Sequence, residues 1–477
     1  MKKKLLCMLL YLLTLTLTLT TGRSANAIRT DDGSKMRNVS WAYVSQDGSD
    51  QNDGTSPECA FATVNEAINS GATRILIDEG IYYQSIDFKE ARGKHIEICN
   101  NSKTGRVIFR PSNRILSEFG ELEPGYSQVY SSRCSVQIPE ANDWIYQEGV
   151  SFGIIDKAES HPAQRGRAYR CDDTPIIRTS ASTLDEAIEE IESAMDYRWF
   201  LDQQNGILYY SSPKPLSAEQ PLTYGTQNGL FVNADRSVSL TISGVEAEYV
   251  VFNLVNFGGV EAVDCKCSKV YGAGCFRYDA SIGAKMIRCE ACLISNNGTG
   301  DGFNGHAATI GEPFAKKNTC ELIDCWAHDI RDDGYSDHEC SETVIRGGLF
   351  EYCGKGGVTP SYGSHCSCYN VYSRHNYCGF HYVGTVPVDE GGQYGQMICY
   401  DCIAENNNRG GEKCGFCVNG KNNMLILCNC KSINNPVHFK AVEETNQITL
   451  IDCGASGGEI VKHGLGLFVI KNTKLID

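Results

Sequence analysis

From residue 259 onward the chain repeats one short pattern eight times, and this repetition limits its fold more than any other feature. Ala262-Val263-Asp264-Cys265-Lys266-Cys267 is echoed by Met286-Ile287-Arg288-Cys289-Glu290-Ala291-Cys292, Leu322-Ile323-Asp324-Cys325 and Val344-Ile345-Arg346-Gly347-Gly348. Ser364-His365-Cys366-Ser367-Cys368, Ile398-Cys399-Tyr400-Asp401-Cys402, Ile426-Leu427-Cys428-Asn429-Cys430 and Leu450-Ile451-Asp452-Cys453 complete the set. Between the last residues of successive segments the steps are 25, 33, 23, 20, 34, 28 and 23 residues, the length of one solenoid coil each. Each segment leads into a polar turn, such as Ser295-Asn296-Asn297-Gly298 or Glu405-Asn406-Asn407-Asn408.

A second piece recurs after the turn: Gly302-Phe303, Gly334-Tyr335, Gly357-Val358, Gly379-Phe380 and Gly415-Phe416. Glycine turns a corner, and the apolar residue after it suits an inward position on a short strand. Coils stacked about 4.8 Å apart put equivalent residues into ladders. The expected fold class is therefore all-β: a single-stranded right-handed parallel β-helix over 226–477.

Cysteine is abundant, with 24 residues in the chain and 23 once Cys7 leaves with the leader. Dense disulfide frameworks belong to small domains that lack a core. This chain is long enough to build one, so the anchor cysteines are expected as an interior ladder of mostly free thiols. Metal clusters are not expected, because a Cys-x-Cys strand points both thiols into the core.

Residues 1–27 have the order of a secretory signal. Lys2, Lys3 and Lys4 precede an apolar run from Leu5 to about Leu19, and Ala25-Asn26-Ala27 ends it. The run is short for a bilayer, no later segment is apolar enough to span, and leucines before Cys7 make a poor lipobox. A secreted or periplasmic protein without a membrane span is expected. The formal charge is −15, near −19 without the four basic residues of the leader. So acidic a surface repels phosphate backbones and argues against a nucleic-acid partner.

Residues 28–111 carry Trp41-Ala42-Tyr43-Val44-Ser45, an acidic loop, and Phe61-Ala62-Thr63-Val64-Asn65-Glu66-Ala67-Ile68. This order resembles the opening of pectate-lyase-like β-helix proteins, where a helix covers the open end of the solenoid. The loop could bind Ca²⁺ through Asp47, Asp50, Asn52 and Asp53, or be a solvated turn. Between 112 and 225 the repeat is lost. Thr183-Leu184-Asp185-Glu186 is a capping box before a helix-like stretch from Ala187 to Met195. Trp199-Phe200-Leu201-Asp202, Asn205-Gly206 and Ile207-Leu208-Tyr209-Tyr210 read as a hairpin. This W-x-x-D…G-x-L-Y-Y stretch is similar to an inserted β-rich module of several β-helix glycoside hydrolases.

Polar and ionisable residues crowd the coils from 300 to 381, where six of the ten histidines fall. Alternation puts Phe303, Tyr335, Val358 and Phe380 inward, and Asn304, Ser336, Thr359 and His381 outward. His306 and His338 share the outward face and should stack about 5 Å apart on adjacent coils. Asp301 and Asp333 should flank that face at its corner. Gly334-Tyr335-Ser336-Asp337-His338-Glu339 distantly resembles the Y-G-F-D-P-H motif of alginate epimerases. Asp333 replaces that motif's leading Tyr and Ser336 its catalytic Asp, so only the placement of the histidine carries over. The N-T-D, G-H-G and R-I-K motifs of polygalacturonase-like enzymes are absent.

Glycoside cleavage needs a carboxylic acid and a carboxylate flanking one bond. Proton abstraction beside a carboxylate needs a base and a cation. The expected function is thus an exported enzyme cleaving a polysaccharide or glycan, by hydrolysis sooner than elimination. A non-catalytic glycan-binding solenoid is the alternative. Asp332 and Asp333 lead the catalytic candidates, followed by Asp337, His338 and Glu339. Asn304, His306, Lys355, His365, Arg374 and His381 are the candidate substrate-binding residues. Apart from the Ca²⁺ loop, no cofactor is expected.

Overall fold

The computed structural model describes residues 41–475 except 112–113, 139–143, 151, 156–167, 172, 273, 280, 295–299, 308–317, 385–393 and 410–412. The expected signal and the turn at 295–298 lie outside them. Three long parallel sheets, of thirteen, twelve and nine strands, run side by side along the chain. From Phe252 onward the chain visits each sheet once per coil, which makes the body a parallel β-helix. Among the described residues no helix is long and apolar enough to cross a membrane.

The first sheet runs from Trp41–Val44 to Leu467–Lys471 and the second from Gly80–Tyr82 to Lys474–Leu475. On most coils a single residue in the left-handed region turns the chain between them. Asp264, Asp324, Asn370, Asp401, Asn429 and Asp452 all have φ between 51° and 55°. Short polar side chains tolerate this conformation by hydrogen bonding locally, which explains the Asp or Asn before so many anchors. The residue after that bend points into the core. Backbone hydrogen bonds from one coil to the next pass through Cys265, Cys289, Cys325, Gly348, Val371, Cys402 and Cys430. The anchor register read from the pattern is thus corrected at three coils, where Cys265, Cys289 and Val371 replace Cys267, Cys292 and Cys368. Cys292 lies outside the main core, packed with Trp144 and Tyr146.

The ladder thiols are more than small fillers. Cys265, Cys289, Cys325, Cys430 and Cys453 donate S–H to carbonyls of Ile242, Ala262, Met286, Cys399 and Leu427 on the preceding coil, at 3.4–3.6 Å. One continuous core runs from Ala42 to Ala455. The helix Val64–Asn69, capped by Thr63, buries Val64, Ala67 and Ile68 in that core.

The acidic loop spends its oxygens on backbone donors. Asp50 accepts the amides of Ala62 and Thr63 at 3.0 and 2.9 Å, and Asp53 accepts the Thr55 amide at 3.0 Å. These are turn hydrogen bonds that fix the entry to the helix.

Residues 114–224 leave the solenoid and return without breaking it. His95–Asn100 pairs directly with Ser239–Ser243, and Val107–Phe109 with Val245–Glu248. The excursion forms an eight-stranded, largely antiparallel sheet. It includes the Arg198–Asp202/Ile207–Tyr210 hairpin and the helix Leu184–Ser193, whose Thr183/Glu186 capping box is formed. Where it meets the solenoid, Arg110 bonds Glu248 at 2.5 Å and Glu148 at 3.0 Å, while Lys269 bonds Asp173 at 2.5 Å. All five side chains are at most 10% exposed.

The third sheet carries the corner glycines. A Cβ at Gly334 would lie 2.7 Å from the Gly357 carbonyl oxygen, and one at Gly379 2.6 Å from that of Gly415. Adjacent coils therefore touch backbone to backbone at this corner. The residues on either side of each Gly–apolar pair, three apart, are turned onto one outer face.

Candidate active site

Four strands of the third sheet build the site: Asp301–His306, Tyr335–His338, Gly356–Pro360 and Cys378–Tyr382. Phe303, Tyr335, Val358 and Phe380 are in register and fully buried. Their outward neighbours Asn304, Ser336, Thr359 and His381 line an open cleft of about 720 Å³. Asp301, Asp332, Asp333, His306, His338, Lys355, Ser361, Tyr362 and Tyr377 also line it.

The floor is acidic. Asp301, Asp332 and Asp333 each bring a carboxylate oxygen within 4.8 Å of the other two. Residues 331–333 form a bend, not a strand, so the adjacent pair Asp332 and Asp333 both reach the cleft. Asp333 accepts the Gly356 amide at 2.6 Å and the Thr359 hydroxyl at 2.8 Å. Gly356 makes this possible, since a Cβ there would sit 2.0 Å from the Thr359 hydroxyl oxygen. Asp301 accepts the Asp333 amide at 3.1 Å and the Asn304 side-chain amide at 2.7 Å. Lys355 stacks one coil above Asp332 and pairs with it at 2.6 Å.

Three carboxyls so close, with one ammonium, cannot all ionise at neutral pH. Burial and then the Asp333 charge push Asp332 up to about 7, against the pull of Lys355. Burial, Asp333 and Asp332 push Asp301 well above the carboxylate range. Burial also raises Asp333, but the Thr359 and Gly356 hydrogen bonds and the charges of Lys355 and His381 oppose it. Asp333 is thus the member of the cluster with the most support for negative charge. The three oxygens have the reach of a divalent-cation site, but the Lys355 ammonium already stands against Asp332.

Beside the floor, His306 and His338 stack with centroids 4.6 Å apart and planes 9° from parallel. Tyr362 continues the stack at 5.8 Å from His338. Burial lowers His306, but its 2.7 Å hydrogen bond to Glu339 and the nearby Asp279 and Glu339 charges outweigh this and raise it. Burial, with His306 adding, lowers His338 to about 4. His338 therefore stays neutral, held between the Ser336 and Ser361 hydroxyls at 2.9 and 3.0 Å. The result is a rigid aromatic ledge along one wall.

No protein-family model matches this chain, and no curated protein matches it. Solved structures do. The chain is similar to XylC in its complex with xylose, at 10% identity and a TM-score of 0.43, over 87% of this chain and 70% of that one. It is similar to a protein described as a glycoside hydrolase, at 10% identity and 0.41, over 91% and 96%. It is also similar to the GH136 lacto-N-biosidase from Eubacterium ramulus, at 8% identity and 0.34, over 91% and 68%. The chemistry of this chain has to come from its own cleft.

The cleft brings together Asp332, Asp333, His338, Asn304, His306, Lys355 and His381 among the candidate residues. Four others lie elsewhere. Asp337 is two residues after the inward Tyr335 and shares its parity, so it is fully buried, accepting the Tyr278 hydroxyl at 2.7 Å and the Thr343 hydroxyl. Burial raises it to about 6, and it does not line the cleft. Glu339 sits behind the ledge as the hydrogen-bond partner of His306, so it positions that ring. His365 belongs to the first sheet and shares another hollow with Glu342 and Gln396. Arg374 belongs to the second sheet and is held by Glu351 at 2.8 Å. Tyr362 and Tyr377 were not among the candidates. Both lie in irregular segments beside the strands, where alternation has no phase.

Proposed function

We propose that this chain is a glycan-cleaving enzyme, a glycoside hydrolase acting outside the cell membrane. The observation that carries this reading is the convergence of three buried carboxyls and one ammonium on the floor of an open cleft. Hydrolysis needs one carboxyl that is protonated and one that is ionised, and crowding separates the pKa values of such a set. Asp332, near neutrality, is the proton donor to the leaving oxygen. Asp333, held by the Gly356 amide and the Thr359 hydroxyl, is the carboxylate that acts on the anomeric carbon or on a water. Asp301 keeps the pair apart in charge, and Lys355 limits how far Asp332 rises. The His306–His338–Tyr362 ledge offers flat faces for the C–H side of a sugar ring. The expected signal sequence supports action outside the membrane, and the acidic chain supports a glycan over a nucleic acid.

Elimination is the second reading, favoured by Lys355 as a cation near the floor, with the His381 imidazole beside it. The test is incubation of the mature protein with a glycan panel, following reducing ends and unsaturated-product absorbance together. Reducing ends alone support hydrolysis. Unsaturated ends overturn it in favour of a lyase. Neither product on a glycan that binds leaves a binding solenoid.

Activity should fall as pH rises through about 7, because the donor Asp332 loses its proton there. Lys355→Met removes the charge that lowers Asp332, so the alkaline limb should move upward. A limb that stays in place removes Asp332 from the donor role. Gly356→Ala should displace the Thr359 hydroxyl from Asp333. Losing a hydrogen bond to a charged group costs ~1.5–3 kcal/mol, so kcat/KM should drop by roughly 10- to 100-fold. Assays across pH on both variants check these two outcomes.

A further inference from the structure

The Gly–apolar corner continues past the cleft onto the coil beyond it. Cys378–Tyr382, the last strand of the cleft, pairs in parallel with Cys414–Val418. The register sets Cys378 against Cys414 and Phe380 against Phe416, whose rings stack 4.9 Å apart at 9°. Backbone contact at Gly379 and Gly415 holds the two strands close. The two cysteines are 36 residues apart in the chain, yet they open adjacent strands at one register position.

Their sulfurs are 3.1 Å apart and both side chains are fully buried. With Cys417 they form a small cluster outside the main core, packed by Tyr377, Val437 and Val442. The anchor ladder differs, since Cys265, Cys289 and Cys325 reach across to backbone carbonyls of the preceding coil. Cys378 has a carbonyl too, that of Phe380 at 3.5 Å, but its nearer neighbour is the Cys414 sulfur. Cys366 and Cys368 approach to 3.6 Å, but they sit two apart on one strand, about 6.6 Å along it. A disulfide spans Cα atoms about 4.4–6.8 Å apart. Neighbouring strands in register lie about 4.8 Å apart, well inside that range. Cys378 and Cys414 can therefore be joined without moving the backbone.

We propose that a disulfide joins Cys378 to Cys414 in the exported protein, as a staple between the last coil of the cleft and the coil beyond it. The bond is made during folding, before the corner closes, because full burial afterwards keeps thiols and disulfides of the solution out. Each cysteine gives up its proton, and two electrons pass to the disulfide of glutathione or of an exchange catalyst, which leaves as two thiols. The staple restricts the unfolded chain across the intervening residues. It also fixes the strand that carries His381 into the cleft. The proposal rests on export to an oxidising compartment and not on the reaction assigned to the cleft.

Exported mature protein, alkylated while denatured and unreduced and then digested, should yield a peptide pair joined through Cys378 and Cys414. That pair is two hydrogens lighter than its separate peptides. Cys265, Cys289 and Cys325 should be alkylated in the same digest. The reduced chain, refolded with glutathione disulfide, asks for the same link without export. A link in both preparations supports the staple. A link on refolding alone supports the pairing and places the failure with export. Cys378 and Cys414 alkylated in both preparations, or either of them joined to Cys417, overturns the proposal. Dithiothreitol should leave the bond intact in the native protein and cleave it only after denaturation. Cleavage in the native protein overturns a staple sealed by burial.

Discussion

Asp333→Asn is expected to lower turnover on a cleaved glycan by ~10²- to 10⁴-fold, the usual scale for removing a general acid or base. The change is nearly isosteric. The Asn oxygen can still accept the Gly356 amide and the Thr359 hydroxyl that Asp333 accepts at 2.6 and 2.8 Å. The fold should therefore survive, as an unchanged melting temperature and far-UV spectrum would report. The lost charge has a second consequence. Asp333 is the largest charged contributor to the raised pKa of Asp332, after burial itself. Without it Asp332 should ionise at lower pH, so any residual activity should lose its alkaline limb earlier. A binding solenoid would keep its affinity and have no turnover to lose. Turnover within a few-fold of the unaltered protein would remove Asp333 from the mechanism.

Arg110→Met is expected to cost ~3–5 kcal/mol of stability, the scale for stripping one partner from a buried ionic group. Arg110 is 8% exposed and joins Glu248 from the solenoid to Glu148 from the excursion, with Asp173 3.6 Å away. Removing it leaves three buried carboxylates beside Lys269, with Arg106 3.4 Å from Glu248 at the margin. Their folded-state pKa values should rise. A raised carboxylate loses stability as pH climbs through its folded pKa, so the deficit should be largest at neutral pH and shrink on acidification. Denaturant melts at neutral and mildly acidic pH measure both effects. Glu248→Leu added to Arg110→Met should restore part of the loss, because a well-packed apolar pair can match a buried ion pair. A neutral-pH deficit below ~1 kcal/mol would mean that water reaches the network.

Much of this molecule was written in periodicity. The steps between anchors and the Gly–apolar corner required stacked coils. The phase of Phe303, Tyr335, Val358 and Phe380 also placed Asn304, Ser336, Thr359 and His381 on one face, and stacked His306 on His338. These features are local. A left-handed bend selects residue types, and strand parity is kept from one coil to the next whatever the loop lengths.

Other features were decided only in three dimensions. Parity was lost wherever the chain bent. Asp332 and Asp333 share the cleft because they lie on a bend, whereas Asp337, counted along the strand from Tyr335, goes inside. The register error at Cys267 and Cys292 arose because cysteines two or three residues apart look alike in sequence, and at Cys368 because the residue after the bend is Val371. Only interstrand hydrogen bonds tell which of them follows the bend. His365 and Arg374 were grouped with the site by closeness in the chain, yet a coil turns through three sheets and carried them to other faces. The ionic junction around Arg110 joins residues 106 to 269, a distance along the chain that no local pattern spans.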